Sequence, residues 1–171
     1  RWPRGTKNTD WTLLPPRGYA FALLDGGAEG VLACYCVHFK GNYGATTDAA
    51  SASNRTKRER AAEQLVELTK KIRLDDGRRV TRVVIAGDFN TDVFDAAFAG
   101  ERTIPTLTAA GYLNGLASAA PDERVTHPQF NGRGGGTLDY IFHRGFLAQT
   151  ERWLSSANDV SDHRMVWLRL E

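Results

Sequence analysis

Two apolar stretches near the start of the chain have the pattern of paired β-strands. Tyr19, Phe21 and Leu23 alternate with smaller residues, and 31–39 is a second stretch rich in β-branched and aromatic side chains. Three glycines fall between the two stretches. This arrangement predicts a β-hairpin with a glycine-rich loop. Residues 41–54 are small and polar without periodicity, and we predict a loop there.

A helix and a further strand follow this loop. The helix is indicated by one apolar stripe at helical spacing, formed by Ala61, Leu65, Leu68 and Ile72. Ser53 or Asn54 is the candidate N-cap, and Gly77 is the candidate end of the helix. Residues 80–86 are almost continuously apolar, which is typical of a strand covered on both faces. Strand, helix and strand in this order predict a crossover unit of a layered α/β fold.

The second half of the chain is less regular. We predict a short helix at 104–110, a strand at 137–142 and a closing strand at 164–170, with a flexible glycine-rich connection at 131–136. No internal repeat and no composition change marks a second domain. The sequence therefore predicts a single domain over 1–171.

Composition excludes several classes of protein. The chain has 171 residues, of which 42% are apolar and 25% charged, and this argues against a coiled coil or a wholly disordered chain. No apolar run approaches the roughly 20 residues that span a bilayer, so we predict no membrane span. The net charge of +2 is too small to indicate a nucleic-acid partner by itself.

The two cysteines are too few for a disulfide scaffold. Cys34 and Cys36 lie two residues apart on the same face of a predicted strand, where their parallel side chains are poorly placed to bond to each other. With His38 they suggest a metal cluster, but no second cysteine pair completes a zinc site. We therefore interpret both as buried, reduced side chains.

Acidic and imidazole groups stand at the ends of three apolar strands. Asp88 and Asn90 follow the strand at 80–86, Asp139 lies near the start of the strand at 137–142, and Asp162-His163 precedes the closing strand. A carboxylate beside apolar strands costs free energy unless a cation, a donor or water compensates it. Each acid alone has an ordinary explanation as a cap or turn residue, but the three together favour a divalent cation with a phosphate.

These segments resemble the endonuclease/exonuclease/phosphatase superfamily, the group of pancreatic deoxyribonuclease, exonuclease III and neutral sphingomyelinase. The resemblance is carried by Gly-Asp-Phe-Asn at 87–90, Asp-Tyr-Ile-Phe at 139–142 and Ser-Asp-His at 161–163. Val-His-Phe-Lys-Gly-Asn at 37–42, the helix from Arg58 and the Arg1-Trp2-Pro3 segment add to it. The resemblance covers essentially the whole chain. It implies an α/β (α+β) fold, a deoxyribonuclease I-like two-sheet β-sandwich flanked by helices.

The resemblance also implies a metal-assisted hydrolytic site. Asp88 and Asn90 would hold or activate the attacking water and contact the phosphoryl group. Asp162, together with Asp88, would ligate Mg²⁺ or Mn²⁺. Phosphoryl transfer needs an in-line nucleophile, neutralised phosphate oxygens and a stabilised leaving group, and these residues suit that chemistry.

The histidines complete the implied roles. His163 would act as general base or as a cationic donor to the phosphate, and Asp139 would fix its tautomer. His38 would serve the leaving group as acid or donor, with a satisfied strand-end histidine as the alternative. We interpret His127 and His143 as surface or loop residues.

One feature of the superfamily has no counterpart. Its members carry an early Asn-containing strand and a Gln-Glu motif whose Glu ligates the metal, and this sequence has no Gln followed by Glu. The chain also opens on Arg1 rather than Met. We therefore expect that the N-terminal part of the domain is missing, that a sheet face or edge is left open, and that a companion fragment carries the missing segment.

Three functions remain open on this evidence. The first is a divalent-metal phosphodiesterase, a nuclease acting on DNA or RNA, with phosphate contacts from candidates Arg17, Lys40, Lys57 and Arg133. The second is a lipid or small-molecule phosphoesterase, since one fold accepts many substrates. The third is a non-catalytic binding module, which the absent Glu favours.

Overall fold

The computed structural model of the chain describes residues 18–41, 49–72, 74–129, 135–156 and 160–171. The Arg1-Trp2-Pro3 segment, the candidate phosphate contacts Arg17 and Arg133, and most of the connection predicted at 131–136 lie outside the described residues.

A five-stranded mixed sheet forms the centre of the molecule. Its order is β1-β2-β3-β5-β4, with β2 and β3 parallel and the other neighbours antiparallel. The strands are β1 (Tyr19–Asp25), β2 (Val31–His38), β3 (Arg82–Asp88), β4 (Leu113–Asn114) and β5 (Asp139–Arg144). The predicted hairpin and the crossover from β2 to β3 are both confirmed.

Helix α1 (Ala49–Lys71) makes the crossover, and helix α2 (Thr103–Ala109) packs beside it. Residues 49–54 are helical, so the predicted loop and N-cap in that stretch are wrong. Its small side chains carry no apolar stripe that could have marked the first turns. The helix ends at Lys71, and Gly77, with a φ of 81°, belongs to a separate turn. Among the described residues, no helix is long and apolar enough to cross a bilayer.

The main core lies between one face of the sheet and the two helices. Ala33, Ile85 and Phe142 from three neighbouring strands are fully buried there against Leu65 and Leu107 of the helices. Burial of this apolar surface is the main stabilising contribution of the fold.

The opposite face of the sheet is much less covered. Val84 and Ala86 of β3 are only half-buried. The strand was predicted to be covered on both faces, but the described residues fully cover only one face. Cys34 and Cys36 are free thiols on this less covered face, and Cys36 is exposed. The prediction that both cysteines are buried is therefore wrong for Cys36, because its side chain points away from the helices.

A second sheet of two antiparallel strands, β6 (Gln149–Leu154) and β7 (Val166–Leu170), packs by the end of the chain. It closes a small core in which Leu154 and Leu116 are buried. The closing strand was predicted two residues too early. Strand β6 was not predicted, because its polar residues carry no strong apolar alternation.

Candidate active site

The register of the sheet brings three predicted site residues side by side. His38 of β2 pairs with Asp88 of β3, and Asp88 pairs with Asp139 of β5. The parallel strands β2 and β3 end at this edge, and the antiparallel β5 begins there. Directly paired residues on neighbouring strands place their Cβ atoms about 4.5–5.5 Å apart. Residues distant in sequence thus converge on one edge of the sheet.

The Gly-Asp-Phe-Asn segment builds the centre of this edge, and each residue has a local reason. Gly87 has a φ of 135°, and a Cβ there would lie 2.0 Å from the carbonyl oxygen of Val37. Phe89 is fully buried, with its ring centroid 4.9 Å from that of Phe39. Asn90 adopts the left-handed conformation, with a φ of 52°, which Asn tolerates better than most residues. The backbone therefore turns sharply just after Asp88.

This turn folds Asn90 back onto Asp88. The backbone N–H of Asn90 donates to Oδ1 of Asp88 at 2.7 Å, and its Nδ2 donates to Oδ2 at 2.7 Å and to the Phe39 carbonyl at 3.2 Å. His38 Nε2 lies 3.5 Å from Asp88 Oδ2. The Asp88 carboxylate is held by donors on two sides.

Asp88 has a raised pKa. Burial is the largest cause, and the negative charge of Asp139 adds to it. The Asn90 hydrogen bond and the charges of His163 and His38 oppose the shift but do not cancel it, so the pKa stays above the ordinary 3.8. These mutual influences show that the strand-end groups act on one another electrostatically.

Asp139 and His163 form a close pair. His163 Nδ1 lies 2.7 Å from Asp139 Oδ2. Burial lowers the pKa of His163, but the hydrogen bond to Asp139 and the charges of Asp139, Asp88 and Asp162 together raise it above the ordinary 6.5. A carboxylate on Nδ1 fixes the ring and leaves Nε2 as the atom that can exchange a proton.

Asp162 lies beside His127, which the sequence analysis interpreted as a surface or loop residue. Its Oδ2 lies 3.5 Å from Nε2 of His127, and the His127 and His163 rings pack edge to face with centroids 4.6 Å apart. The side chain of His127 is only 17% exposed. His127 therefore lies in a loop, as one of the two interpretations has it, but its side chain is largely covered.

The interpretation of His143 as a surface or loop residue is wrong. It lies in β5, paired with Val84 of β3, and is 2% exposed. Burial lowers its pKa below the ordinary 6.5. Its side chain faces the less covered side of the sheet together with Val84, so it is a buried strand residue rather than a loop residue.

Two residues that sequence reasoning missed hold the loops of the site together. Thr126 is fully buried, and its Oγ1 accepts hydrogen bonds from the N–H groups of Leu138 at 2.9 Å and Asp139 at 3.0 Å. The N–H of Arg164 donates to the Thr126 carbonyl at 2.7 Å, and its Nη1 donates to the Val125 carbonyl at 3.2 Å. The signal in the sequence is weak, since a lone threonine and a lone arginine have no distinctive spacing.

The sequence profile of the Endonuclease/Exonuclease/phosphatase family matches residues 4–163. The chain belongs to this family. The match spans every one of the predicted site residues, from His38 to His163, and confirms the resemblance on which their roles were based. No curated protein matches the chain significantly.

Solved structures show that the family member has a deoxyribonuclease I-like fold, as predicted. Beta toxin from Staphylococcus aureus aligns with a TM-score of 0.62 and 16% identity, over 91% of this chain and 57% of that chain. A mutant of the same toxin with bound magnesium ions aligns at 0.51 and 17% identity, over 88% and 56%. Sphingomyelinase C from Streptomyces griseocarneus aligns at 0.46 and 19% identity, over 89% and 53%.

The present chain spans little more than half the length of these proteins. At such identities the likeness concerns the fold alone. The expected N-terminal segment and companion fragment stay predictions.

The donor set of the site fits a divalent cation. Carboxylate and amide oxygens suit Mg²⁺ and Mn²⁺, and Asp88 and Asn90 offer them at the end of β3. The negative charge of Asp139 also helps to raise the pKa of Asp88, and a cation would oppose this effect. Asp162 lies with His127 and His163 rather than with Asp88. One ligand atom from each of His127, Asp162 and His163 lies within 4.8 Å of the others.

A buried ion pair between Arg58 and Glu101 stabilises the segment that follows β2. Arg58 of α1 donates from Nε and Nη2 to the two carboxylate oxygens of Glu101 at 2.8 and 2.7 Å. Its Nη1 donates to the Lys40 carbonyl at 3.2 Å. Helix α1 thereby fixes the segment that follows His38, which explains a buried arginine in the helix.

Proposed function

We propose that this protein is a divalent-metal-dependent phosphodiester hydrolase, and that its substrate is a nucleic acid. The observation that carries the proposal is the register of His38, Asp88 and Asp139 at one edge of the sheet, with His163 hydrogen-bonded to Asp139. Membership of the Endonuclease/Exonuclease/phosphatase family supports the reaction class.

Asp88 and Asn90 would hold the bound cation and the attacking water. Asp162 would add a second carboxylate ligand to a Mg²⁺ or Mn²⁺ ion. When bound, such an ion neutralises charge on the phosphate oxygens and lowers the pKa of a bound water. In the metal-free protein the pKa of Asp88 is raised, mainly by burial, and a bound cation would favour its ionised form.

The two histidines would handle protons on either side of the phosphorus. His163 keeps Nδ1 on Asp139, so Nε2 takes a proton from water or donates a hydrogen bond to a phosphate oxygen. His38 is 59% exposed with Nε2 3.5 Å from Asp88, an accessible position for a donor to the leaving oxygen. Each proton transfer of this kind contributes roughly 100- to 10,000-fold to the rate.

Lys40 supports a nucleic-acid substrate. It follows His38 by two residues, at the same end of the sheet, and its backbone is held by Arg58. Its ammonium group would contact a backbone phosphate next to the cleaved bond. We expect cleavage that weakens steeply as salt rises, because bound cations are released from the nucleic acid when protein contacts replace them.

A lipid phosphoester is the second candidate substrate. Exposed apolar side chains flank the Asp162-His163 loop, with Val160 at 94% and Met165 at 59% exposure. An apolar rim of this kind suits a membrane or a hydrophobic headgroup environment. A lipid phosphoesterase would show little dependence on salt.

The experiment compares plasmid DNA, bis-p-nitrophenyl phosphate and sphingomyelin vesicles, each with Mg²⁺, Mn²⁺ or EDTA. We expect cleavage of the first two substrates with metal and none with EDTA. His163→Ala should lower the rate by about 100-fold or more, whereas Lys70→Ala, an exposed change on α1, should keep it.

Cleavage that persists in EDTA, or that His163→Ala leaves unchanged, contradicts the proposed roles. Turnover of the vesicles alone favours the lipid substrate. Failure to cleave any of the three, in protein that remains folded, favours the non-catalytic binding module.

A further inference from the structure

We propose that His127, Asp162 and His163 form a second divalent-metal site, selective for ions that accept nitrogen ligands such as Zn²⁺, and that its occupation inhibits hydrolysis. The inhibitory part rests on the proposed function, whereas the binding part does not. His127 has no role in the proposed hydrolysis.

The ligand atoms are close to the spacing that an ion requires. Ligands about 2.0–2.2 Å from one zinc ion lie roughly 3.3 Å apart in a tetrahedron. Nε2 of His127 and Oδ2 of Asp162 are already 3.5 Å apart. The ligand atoms of all three residues lie within 4.8 Å of one another, and no other group of the described residues brings three such side chains so close.

The backbone holds His127 in place for this purpose. Its N–H donates to the Gly136 carbonyl and its carbonyl accepts from the Gly136 N–H, each at 3.0 Å. Gly135 allows this contact, because a Cβ there would lie 3.0 Å from the His127 carbonyl oxygen and 2.5 Å from Val125. Arg164 ties the same segment to the loop of Asp162 and His163. Hydrogen bonds therefore join the His127 segment to the loop of Asp162 and His163 before any ion binds.

The donor set indicates which ions bind. Two imidazoles and one carboxylate are ligands that Zn²⁺ and related transition metals prefer, whereas Mg²⁺ prefers oxygen alone. His163 donates from Nδ1 to the Asp139 carboxylate at 2.7 Å, which leaves Nε2 for the ion. A histidine ligand held by a carboxylate through its other nitrogen is common at zinc sites. A fourth position stays open for water.

Occupation of this site interferes with the proposed hydrolysis in two ways. An ion on Nε2 of His163 blocks the atom that would exchange a proton with water or phosphate. An ion on Asp162 also competes with the magnesium ion that Asp162 would ligate. Zinc and magnesium therefore oppose each other in this site.

Binding is tested directly on metal-stripped protein by calorimetry with Zn²⁺ and with Mg²⁺, and by the visible absorption of bound Co²⁺. We expect one zinc ion per chain. His127→Gln and His127→Ala should each lower the ratio of zinc to magnesium affinity by about tenfold or more. The matched control is Cys34→Ser with Cys36→Ser. It removes the two thiol groups, which are not part of the site, and should leave the ratio unchanged.

A measurement on the unaltered protein covers the case in which the variants fail to fold. Zinc should shift the ring-proton NMR signals of His127 and His163, and leave those of His143 in place. Absence of zinc binding, loss of it in the cysteine variant, or an unchanged affinity ratio in the folded His127 variants would overturn the site.

The inhibitory role is tested with Mg²⁺ present and bis-p-nitrophenyl phosphate as substrate. Zinc should inhibit the unaltered protein at about tenfold or more lower concentration than it inhibits His127→Gln, each measured against its own zinc-free rate. Zinc binding without inhibition of an active enzyme overturns this role. Zinc binding to a protein that never cleaves the substrate contradicts the proposed function and leaves the metal site supported.

Discussion

The candidate site has two halves that are held in different ways. The strand half, with Asp88 and Asn90, is part of the central sheet, and the Asp88 side chain is only 17% exposed. The loop half, with Asp162 and His163, lies between β6 and β7, and the Asp162 side chain is 68% exposed. One half is fixed by the register of the sheet, the other by a small number of hydrogen bonds.

This difference separates the contributions to stability and to function. Changes in the strand half disturb the core of the fold, because Phe89 beside Asp88 is fully buried. Changes in the loop half leave the core intact but alter the position of His163. Functional loops held on a rigid scaffold are a common arrangement, since local opening there costs less than global unfolding.

The largest expected effect belongs to Gly87→Ala. The new Cβ would meet the Val37 carbonyl at 2.0 Å at a φ of 135°, and neither backbone strand can move without breaking the sheet. We expect the free energy of unfolding to fall by more than about 4 kcal/mol, measured by urea denaturation. Gly18→Ala, with no atom within 4 Å of its Cβ, is the control. Equal stability of the two variants would show that the strand half is not rigid.

Thr126→Val should have the next largest effect, because Thr126 joins the two halves. It removes the oxygen that accepts from Leu138 and Asp139 and leaves two N–H groups without that partner. We expect a loss of about 1–3 kcal/mol of unfolding free energy in the same measurement. Thr150→Val, at an exposed position of β6, should change it by less than about 0.5 kcal/mol. A smaller loss for Thr126→Val than for this control would contradict the link between the halves.

Arg164→Met tests the loop half alone. It removes the side-chain hydrogen bonds to the carbonyls of Val125 and Ser155, at an expected cost of about 1–2 kcal/mol. Arg169→Met removes an exposed ion pair with Glu151 and a cation–π contact with the ring of Trp167, and should cost about 0–1 kcal/mol. Hydrogen exchange should rise around His163 in the first variant and not in the second. Unchanged exchange in both would mean that Arg164 does not hold the loop.

The smallest expected effect on stability, and the most local, is that of Asp139→Asn. The hydrogen bond and charge of Asp139 raise the pKa of His163 against the opposing effect of burial. Without them the charges of Asp88 and Asp162 still oppose burial, but the largest opposing effects are gone. The pKa of His163 should therefore fall, and a smaller fraction of the ring should be protonated near neutral pH. NMR titration of metal-free protein checks this, with His143 as an internal reference. An unchanged pKa would assign the shift to the charges of Asp88 and Asp162.

The sequence predicted the strand half well, because its signals are local. An apolar run indicates a strand, Gly-Asp-Phe-Asn marks its end, and Gly87 and Asn90 are residue types that unusual backbone angles favour. The apolar stripe on α1 was equally readable, although its small first residues hid the start of the helix. The loop half was predicted only in part: Asp162 and His163 were identified, but His127 was interpreted as a surface or loop residue without a role.

What the sequence determined by itself was five of the seven strands of the described residues, the crossover helix, the family and the identity of six candidate groups. The tertiary structure alone decided that Thr126, His127 and Arg164 join those groups, and that His143 is buried within β5. The physical reason is the range of the interactions. Strand and turn preferences act over a few neighbouring residues, whereas hydrogen bonds between segments 38 or 39 positions apart, as from Arg164 to Thr126 and Val125, leave no periodic trace in the chain.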